Sequence, residues 1–422
     1  MKHAAKVHAR RPKRGGRVSP HIGIHPGVDP GLHPLSHPPL QAGQVRARPP
    51  VNRSQAHPGV YPLSPLTHRT QQFQPLPSPL GEPPYHYDIE TAIPGMGKQA
   101  AKDRKIIFHT AGDTGGIKNA VYQSDVAAAM KGDLNLGPGK APSFFYHLGD
   151  VVYFNGQVGD YYSQFYEPYD HYTPPIISIP GNHDGDPIDS TQASLDGWVR
   201  YFMTSTPQVQ PESQDAPRVT MSLPNVYFTL LCPYVTIIGM YTNVPDHGSI
   251  DTQQQQWLTN EFATAPKNKA LILALHHPIY SFDDHHSGSP NMADVVQHAI
   301  NDSRRVPNMV LTAHVHNYQR IEKSLVAGGV TPFLVIGAGG YYHLHNLNVG
   351  VGPGTVDPQT QAKLVAANDR QHSYVTLTVD ANNISGTLST IATPKAAAEN
   401  GVDPFSYPAA AIELPAGVMV SL

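Results

Sequence analysis

Cysteine is almost absent from this chain of 422 residues, because Cys232 is the only one. A single cysteine excludes a framework of intrachain disulfides. It lies in the apolar run FTLLCPYVTII, which favours a buried and inert thiol. The lack of disulfides is compatible with a reducing compartment but does not require one.

Long apolar runs are also missing. No stretch of about 20 apolar residues occurs, so the sequence predicts no transmembrane segment. No apolar run of roughly 7 to 15 residues follows the basic start that ends at Arg17, so no signal peptide is predicted. As written, the chain is expected to be cytoplasmic, with export open if its start is misassigned.

Charge is balanced over the whole chain but not along it. The chain has 29 Lys and Arg against 32 Asp and Glu, which gives no reason to expect nucleic acid as an obligatory partner. Residues 1–85 are rich in Pro, His and Arg and lack periodicity, which predicts a disordered tail. Its basic start is expected to be solvated, with contact to nucleic acid or an anionic membrane as the alternative.

Five short segments each place a metal-type ligand directly after an apolar, strand-like run. The segments are AGDTGG (111–116), GDVVY (149–153), GNHD (181–184), ALHHP (274–278) and AHVHNYQR (313–320). Because the carboxyl ends of strands in an open α/β sheet are where ligands bind, these side chains are expected to share one site. The ligand types suit two metals, which need a carboxylate between them and an open position for water and phosphate.

The ligand types divide these residues into two sets around one bridge. Asp150 is the expected bridge between the metals. The other expected ligands are Asp113, Tyr153 and His316 for one metal, and Asn182, His276 and His314 for the other. Oxygen and imidazole ligands without thiolate suit Fe, Mn, Zn or mixtures of them. On the residues alone, His277 competes with His276 for one ligand position.

Each of these residues also has an ordinary structural explanation. Asp113 and Asp150 could be turn or helix N-cap residues, and Tyr153 could be a packed tyrosine. The adjacent histidines could form a satisfied core pair. No packing rule explains all five placements in this order, which favours a shared metal site.

The five segments resemble those of the calcineurin-like metallophosphoesterases, and most closely those of the purple acid phosphatases. That family's pattern is GDxG, GDxxY, GNH followed by an acidic residue, VxxH and GHxH. Other metallophosphoesterases open with DxH, whereas Thr114 and Gly115 follow Asp113 here, so Tyr153 replaces a histidine ligand. A phenolate is a hard anionic ligand that favours a ferric ion. Ala313 stands where the family has glycine.

The resemblance implies phosphoester hydrolysis by a metal-bound hydroxide at a centre of Fe(III) and a divalent Fe, Zn or Mn ion. It implies that His183 donates a proton to the leaving oxygen and that Asp184 orients His183. It also favours His276 over His277 as the ligand. The expected substrate contacts are Asn182, His285 and His286. The two loop histidines could instead simply be exposed to solvent.

An acid phosphomonoesterase that acts on a small phosphate ester is the function that this pattern favours. One alternative is a phosphodiesterase or nucleotide hydrolase on the same site. Another is a metal-binding scaffold without turnover. The physiological substrate, the second metal and the oligomeric state stay open.

The alternation of strand-like and helix-like runs predicts an α/β fold. The resemblance implies that this fold is a four-layer αββα sandwich of the metallophosphoesterase type. The catalytic domain is expected to span residues 86–393, with a C-terminal extension over residues 394–422. The expected covering helices are residues 119–132, 252–265 and 291–302.

Overall fold

Two β-sheets form the centre of the structure, a computed structural model that describes residues 71–422. They contain eight and six strands, and a third sheet contains two. In chain order the strands are β1 (His86–Asp88), β2 (Lys105–Ala111), β3 (Phe145–His147), β4 (Ile176–Ser178), β5 (Phe228–Leu231), β6 (Val235–Gly239), β7 (Ala270–Ala274), β8 (Arg305–Val306), β9 (Met309–Thr312), β10 (Tyr318–Lys323), β11 (Thr331–Ile336), β12 (Lys363–Asn368), β13 (Ser373–Asp380), β14 (Asn383–Thr390), β15 (Glu399–Pro408) and β16 (Ile412–Glu413).

The centre of each large sheet is built from parallel strands. The strand order is β1-β5-β6-β7-β9-β11-β10-β12 in one sheet and β15-β14-β13-β2-β3-β4 in the other. Strands β6, β7, β9 and β11 run parallel, as do β2, β3 and β4. Their sequences are apolar almost throughout because both faces are covered, and every residue of β7 is buried. The strands predicted before the five ligand segments are confirmed.

Seven α-helices accompany the two sheets over the described residues. They are α1 (Ile89–Ala92), α2 (Met96–Asp103), α3 (Val121–Asp133), α4 (Asn182–Gly185), α5 (Asp196–Phe202), α6 (Thr252–Thr264) and α7 (Pro290–Ser303). Helix α6 starts at the N-cap Asp251, whose carboxylate accepts the Gln254 N–H at 2.7 Å. Its Glu261 accepts a hydrogen bond from Thr229 of β5, and α7 packs against α6. Helices α2 and α3 contact β2 and β13 of the other sheet.

The two sheets approach each other closely where β6 faces β3. A β-carbon on Gly239 of β6 would meet the hydroxyl of Tyr146 in β3 and would lie 2.7 Å from Cγ2 of Ile179, which follows β4, so glycine is what allows the sheets to meet there. From one side to the other, the layers are helices, six-stranded sheet, eight-stranded sheet and helices. The predicted αββα sandwich is confirmed. The three predicted covering helices are α3, α6 and α7, with ends shifted by two residues or fewer.

The first described residues are bonded to this body. The Gln74 N–H donates to Oδ1 of Asn243 at 2.7 Å, and the Trp257 indole donates to the Pro84 carbonyl at 2.8 Å. The sequence analysis placed this segment in a disordered tail. This segment differs from that expectation because its backbone groups form hydrogen bonds with residues of the folded body. The rest of the predicted tail, residues 1–70, lies outside the described residues.

Strand β15 brings the C-terminal segment into the six-stranded sheet as an edge strand. Arg320 of β10 donates to both carboxylate oxygens of Asp403, at 2.8 Å from Nε and 2.6 Å from Nη2. This bidentate pair joins the two sheets, because β10 belongs to the eight-stranded one. Residues 394–422, predicted as an extension, therefore contribute to the body of the fold.

The sequence also made predictions about membrane-spanning helices and about the environment of Cys232. Over residues 71–422, no helix is both long enough and apolar enough to cross a membrane. Cys232 is buried, and burial raises the pKa of its thiol. The predicted buried and inert thiol agrees with this position.

Candidate metal centre

Asp113 and Asp150 leave their strands in the same way. Asp113 follows β2 and Asp150 follows β3, each after a glycine, and both have left-handed φ angles, of 55° and 54°. Aspartate adopts this conformation more readily than most residues. Both side chains are buried. Because β2 and β3 pair in parallel, the two carboxylates arrive at one edge of the sheet.

Tyr153 and His316 converge on Asp113. The Tyr153 hydroxyl donates to Oδ1 of Asp113 at 3.0 Å and lies 3.4 Å from Nε2 of His316. Nε2 of His316 is also 3.4 Å from that carboxylate oxygen. Burial, with the charges of Asp113 and Asp150, raises the pKa of Tyr153. A bound cation is therefore what would favour its phenolate form.

Asn182, His276 and His314 converge beside Asp150. Oδ1 of Asn182 lies 3.1 Å from Nε2 of His276 and 2.9 Å from Nδ1 of His314. The potential ligand atoms of Asp150, His276 and His314 all lie within 4.8 Å of one another, and the three residues are buried. These side chains share a volume in which one ion could contact all of them.

Backbone carbonyls orient two of the imidazole rings. Nδ1 of His276 donates to the Leu148 carbonyl at 2.8 Å, and Nδ1 of His316 donates to the His343 carbonyl at 3.0 Å. Each ring then presents Nε2 to its neighbouring carboxylate. Fixing one nitrogen in this way sets the tautomer of a metal-binding histidine.

The side chains in this cluster are suitable ligands for a pair of metal ions. Oδ1 of Asp150 accepts the His183 N–H at 2.9 Å, whereas the buried Oδ2 accepts no hydrogen bond and has Nε2 of His276 beside it at 3.4 Å. A buried carboxylate oxygen without a donor is costly unless a cation satisfies it. The surrounding groups are carboxylate, phenol, amide and imidazole, without thiolate, which suits Fe, Mn or Zn. Asp150, the predicted bridge, is therefore the residue with an oxygen left for a metal.

Charges around Asp150 are strongly coupled. Burial acts to raise the pKa of Asp150, but His276 and His183 outweigh it and lower that pKa overall. Burial would lower the pKa of His276, yet Asp150 and Asp113 raise it to about 9. Burial and the charge of Asp150 raise the pKa of Asp184 to about 7. Asp150 thus keeps its negative charge in this cluster, and a cation beside it would be stabilised.

His183 and Asp184 have separate surroundings, although they were predicted to work together. Nδ1 of His183 donates to the Phe154 carbonyl at 2.8 Å. The buried Asp184 carboxylate accepts hydrogen bonds at 2.8 to 3.2 Å from three backbone N–H groups, those of Val151, Val152 and Gly181. A carbonyl therefore orients the His183 ring, while Asp184 holds two ligand loops together. These contacts differ from the expectation that Asp184 orients His183.

The adjacent histidines after β7 also have different surroundings. His276 lies in the cluster with Asp150 and His314. Nδ1 of His277 lies 2.7 Å from Oγ1 of Thr242, and burial lowers the pKa of His277. The structure therefore brings His276, rather than His277, to the other candidate ligands.

The buried Asp283 holds a loop that carries His285 and His286. Its Oδ2 accepts the N–H groups of His285 at 3.1 Å and of His286 at 2.8 Å. The ring of His286 lies 4.6 Å from that of His314, centroid to centroid. The predicted substrate contacts therefore lie at the rim of the cluster, whereas Asn182 lies inside it.

Sequence reasoning missed a group of residues after β11. The ring of Tyr341 lies 4.3 Å from that of Tyr153 and 4.5 Å from that of His316, and the His345 ring is 4.3 Å from His316. The signal was present in the run GAGGYYHLH at 337–345, which directly follows the apolar run FLVI. Since β11 pairs in parallel with β9, its end reaches the same edge as the ligand loops.

Known proteins resemble this chain in sequence and in fold. A sequence model of the calcineurin-like phosphoesterase family matches residues 96–318. The fold is similar to that of a purple acid phosphatase from yellow lupin (Lupinus luteus) seeds, with 17% sequence identity and a TM-score of 0.51. That similarity covers 74% of this chain and 54% of the lupin chain, so this chain spans about half the length of the lupin protein.

Two further solved structures are similar with lower scores. A dimetal phosphatase from Danio rerio is 9% identical with a TM-score of 0.43, over 72% of this chain and 99% of that one. GAP50, the anchor in the inner membrane complex of Plasmodium, is 12% identical with a TM-score of 0.49. The similarity covers 74% of this chain and 90% of GAP50. At such identities the similarity concerns the fold alone. No curated protein sequence matches the chain.

Proposed function

Because this chain belongs to the calcineurin-like phosphoesterase family, we propose that it is a dinuclear-metal phosphoester hydrolase with a preference for phosphomonoesters. The proposal depends on Tyr153, whose hydroxyl lies 3.0 Å from Asp113 and 3.4 Å from His316. A phenolate at this position favours Fe(III) beside a divalent Fe, Zn or Mn ion. The proposed ligands are Asp113, Asp150, Tyr153, Asn182, His276, His314 and His316.

Hydrolysis forms a bond between phosphorus and a water oxygen while the bond from phosphorus to the ester oxygen breaks. When bound, the metals supply activation of that water and neutralisation of phosphoryl charge. The leaving oxygen needs a proton, for which His183 is the proposed donor. Since Nδ1 of His183 is committed to the Phe154 carbonyl at 2.8 Å, Nε2 is the nitrogen that delivers this proton.

His285 and His286 are the proposed contacts of the phosphoryl oxygens. The His286 ring lies 4.6 Å from that of the proposed ligand His314. Both residues are anchored through their backbone N–H groups to one buried carboxylate oxygen of Asp283. A loop held in this way presents its imidazoles in a defined position to a small phosphate ester.

Paired substrates test this proposal. Metal-reconstituted protein is assayed with a phosphomonoester and with the phosphodiester of the same leaving group, before and after chelation. We expect faster hydrolysis of the monoester, complete dependence on metal, and loss of both metal and activity in Asp150→Asn. Faster hydrolysis of the diester would indicate a phosphodiesterase or nucleotide hydrolase instead. Retention of metal without turnover of either substrate would indicate a scaffold.

A further inference from the structure

Lys118 is an exposed lysine in the loop between β2 and α3, five residues after Asp113. Its Nζ donates to the Tyr342 hydroxyl at 3.1 Å. The same atom lies 4.8 Å from the centre of the Tyr342 ring and 5.9 Å from that of Phe154. Both rings are half-buried. The rings hold the ammonium near their faces, and its three N–H donors are not exhausted by one hydroxyl.

Phe154 connects Lys118 to the proposed proton donor. It follows Tyr153 in the chain, and its carbonyl accepts the Nδ1–H of His183. The rings of Phe154 and His183 lie 5.9 Å apart. Lys118 therefore stands on the His183 side of the metal centre. Since His183 is proposed to protonate the leaving oxygen, the leaving group must lie on this side as well.

Tyr342 connects Lys118 to the rest of the rim. Its ring lies 4.9 Å from that of Tyr341, which in turn lies 4.5 Å from that of His316. A substrate phosphate at the metals would thus have Phe154 and Tyr342 beside its ester oxygen. Half-buried rings of this kind offer their faces to a flat group.

A neighbouring histidine, His343, lies within range of the Lys118 charge. Burial, followed by the charges of His316 and His285, lowers the pKa of His343. Asp284 is the acidic group that acts on His343, and it lies on the opposite loop beside His285.

We propose that Lys118, Phe154 and Tyr342 form a leaving-group subsite. It selects phosphate monoesters whose leaving group combines a flat ring with a second negative charge. The ring packs against Phe154 and Tyr342, and the charge pairs with the Lys118 ammonium. An aliphatic or uncharged leaving group uses only part of this subsite. This inference rests on the proposed function through the position of His183.

Two phosphonates that are not hydrolysed test the subsite without requiring turnover. 4-Carboxybenzylphosphonate carries the second charge, and 4-carbamoylbenzylphosphonate is its neutral counterpart. Their binding to metal-reconstituted protein is measured by titration calorimetry at low and high salt. We expect the charged compound to bind about fivefold more tightly at low salt, which is typical of one partly exposed charge pair, and the difference to shrink at high salt.

Lys118→Met removes the charge, and Lys131→Met is the matched control on the exposed face of α3. We expect Lys118→Met to abolish the preference and Lys131→Met to retain it. Equal binding of the two phosphonates by the wild type, or an unchanged preference in Lys118→Met, would overturn the subsite. Failure of both phosphonates to bind, or of the charged one alone, would overturn it too.

Turnover of the two corresponding phosphate esters separates this inference from the proposed function. Lys118-dependent preference in binding, with neither ester hydrolysed, would support the subsite while rejecting the hydrolase. Hydrolysis of both esters with equal kcat/KM and equal phosphonate affinity would support the hydrolase while rejecting the subsite.

Discussion

A methyl group on Gly112 would place its carbon 2.5 Å from the β-carbon of Ala313. Gly112 follows β2 and precedes Asp113, whereas Ala313 follows β9 and precedes His314, so the ligand turns of the two sheets touch here. The family pattern has glycine at the position that Ala313 occupies in this chain. In this chain the left-handed residue of that turn is His314, with φ of 65°, so alanine fits without backbone strain.

The first prediction follows from this contact. Gly112→Ala should overpack the junction and lower the free energy of unfolding by about 1 to 3 kcal/mol, measured by urea denaturation. Relief of this overpacking should also displace Asp113, which follows Gly112 and is a proposed ligand. The metal content should therefore fall. The double variant Gly112→Ala with Ala313→Gly should recover part of both losses. Equal losses in the single and double variants would show that the two positions are not coupled.

The second prediction separates the roles of His183 and Asp184. His183→Ala should abolish turnover while sparing metal content, because the ring is proposed to donate a proton and is not a proposed ligand. Asp184→Asn should lower the free energy of unfolding by about 1 to 3 kcal/mol, because an amide NH₂ would face backbone donors. Metal content and urea unfolding of both variants check this, and unchanged turnover in His183→Ala would reject its role.

The third prediction concerns pH and the buried His109 of β2. Its Nε2 lies 3.1 Å from Oδ2 of Asp133 and its Nδ1 lies 3.1 Å from the Tyr172 hydroxyl. Burial lowers the pKa of His109, and Asp133 offsets this only in part. The unfolded chain, with an ordinary histidine pKa of about 6.5, therefore binds more protons below that pH. Stability must fall as the pH drops through this value.

Urea unfolding at pH values of about 7.5 and 5.5 measures this loss. We expect His109→Gln to lose about 1 kcal/mol less than the wild type over this interval, because it removes one group that protonates on unfolding. An equal loss in both proteins would show that His109 is not protonated preferentially in the unfolded chain.

Much of the fold could be predicted because the strands and helices are local patterns. The apolar runs that became β2, β7 and β9 are buried on both faces, so each strand appears in the sequence as a short, nearly continuous apolar stretch. The edge strand β15 was not predicted, because its sequence ENGVDPFSYP has mixed polarity and contains proline. Its place depends on a contact remote in sequence, the pair between Arg320 and Asp403.

The candidate site divides in the same manner. Candidate ligands next to strand ends, such as Asp113 and Asp150, could be proposed from the sequence because the end of each strand determines where its following residue lies. The roles of Asp184 and Tyr341 could not, because they depend on which backbone groups and rings lie nearby in space. Asp184 was expected to orient His183, whereas its carboxylate accepts hydrogen bonds from the backbone N–H groups of Val151, Val152 and Gly181.

We propose that the Tyr153 phenolate binds a ferric ion. Charge transfer from a phenolate to Fe(III) gives a visible absorption band, so the claim can be tested by colour and metal content together. Tyr341→Phe is the matched control, because its ring lies 4.3 Å from that of Tyr153 and it loses the same hydroxyl group.

The most direct measurement is therefore the visible spectrum and iron content of the wild type, Tyr153→Phe and Tyr341→Phe. We predict a purple or pink band that accompanies iron in the wild type, persists in Tyr341→Phe and disappears in Tyr153→Phe. A colourless wild type fully loaded with zinc or manganese, or a band that survives in Tyr153→Phe, would contradict the claim.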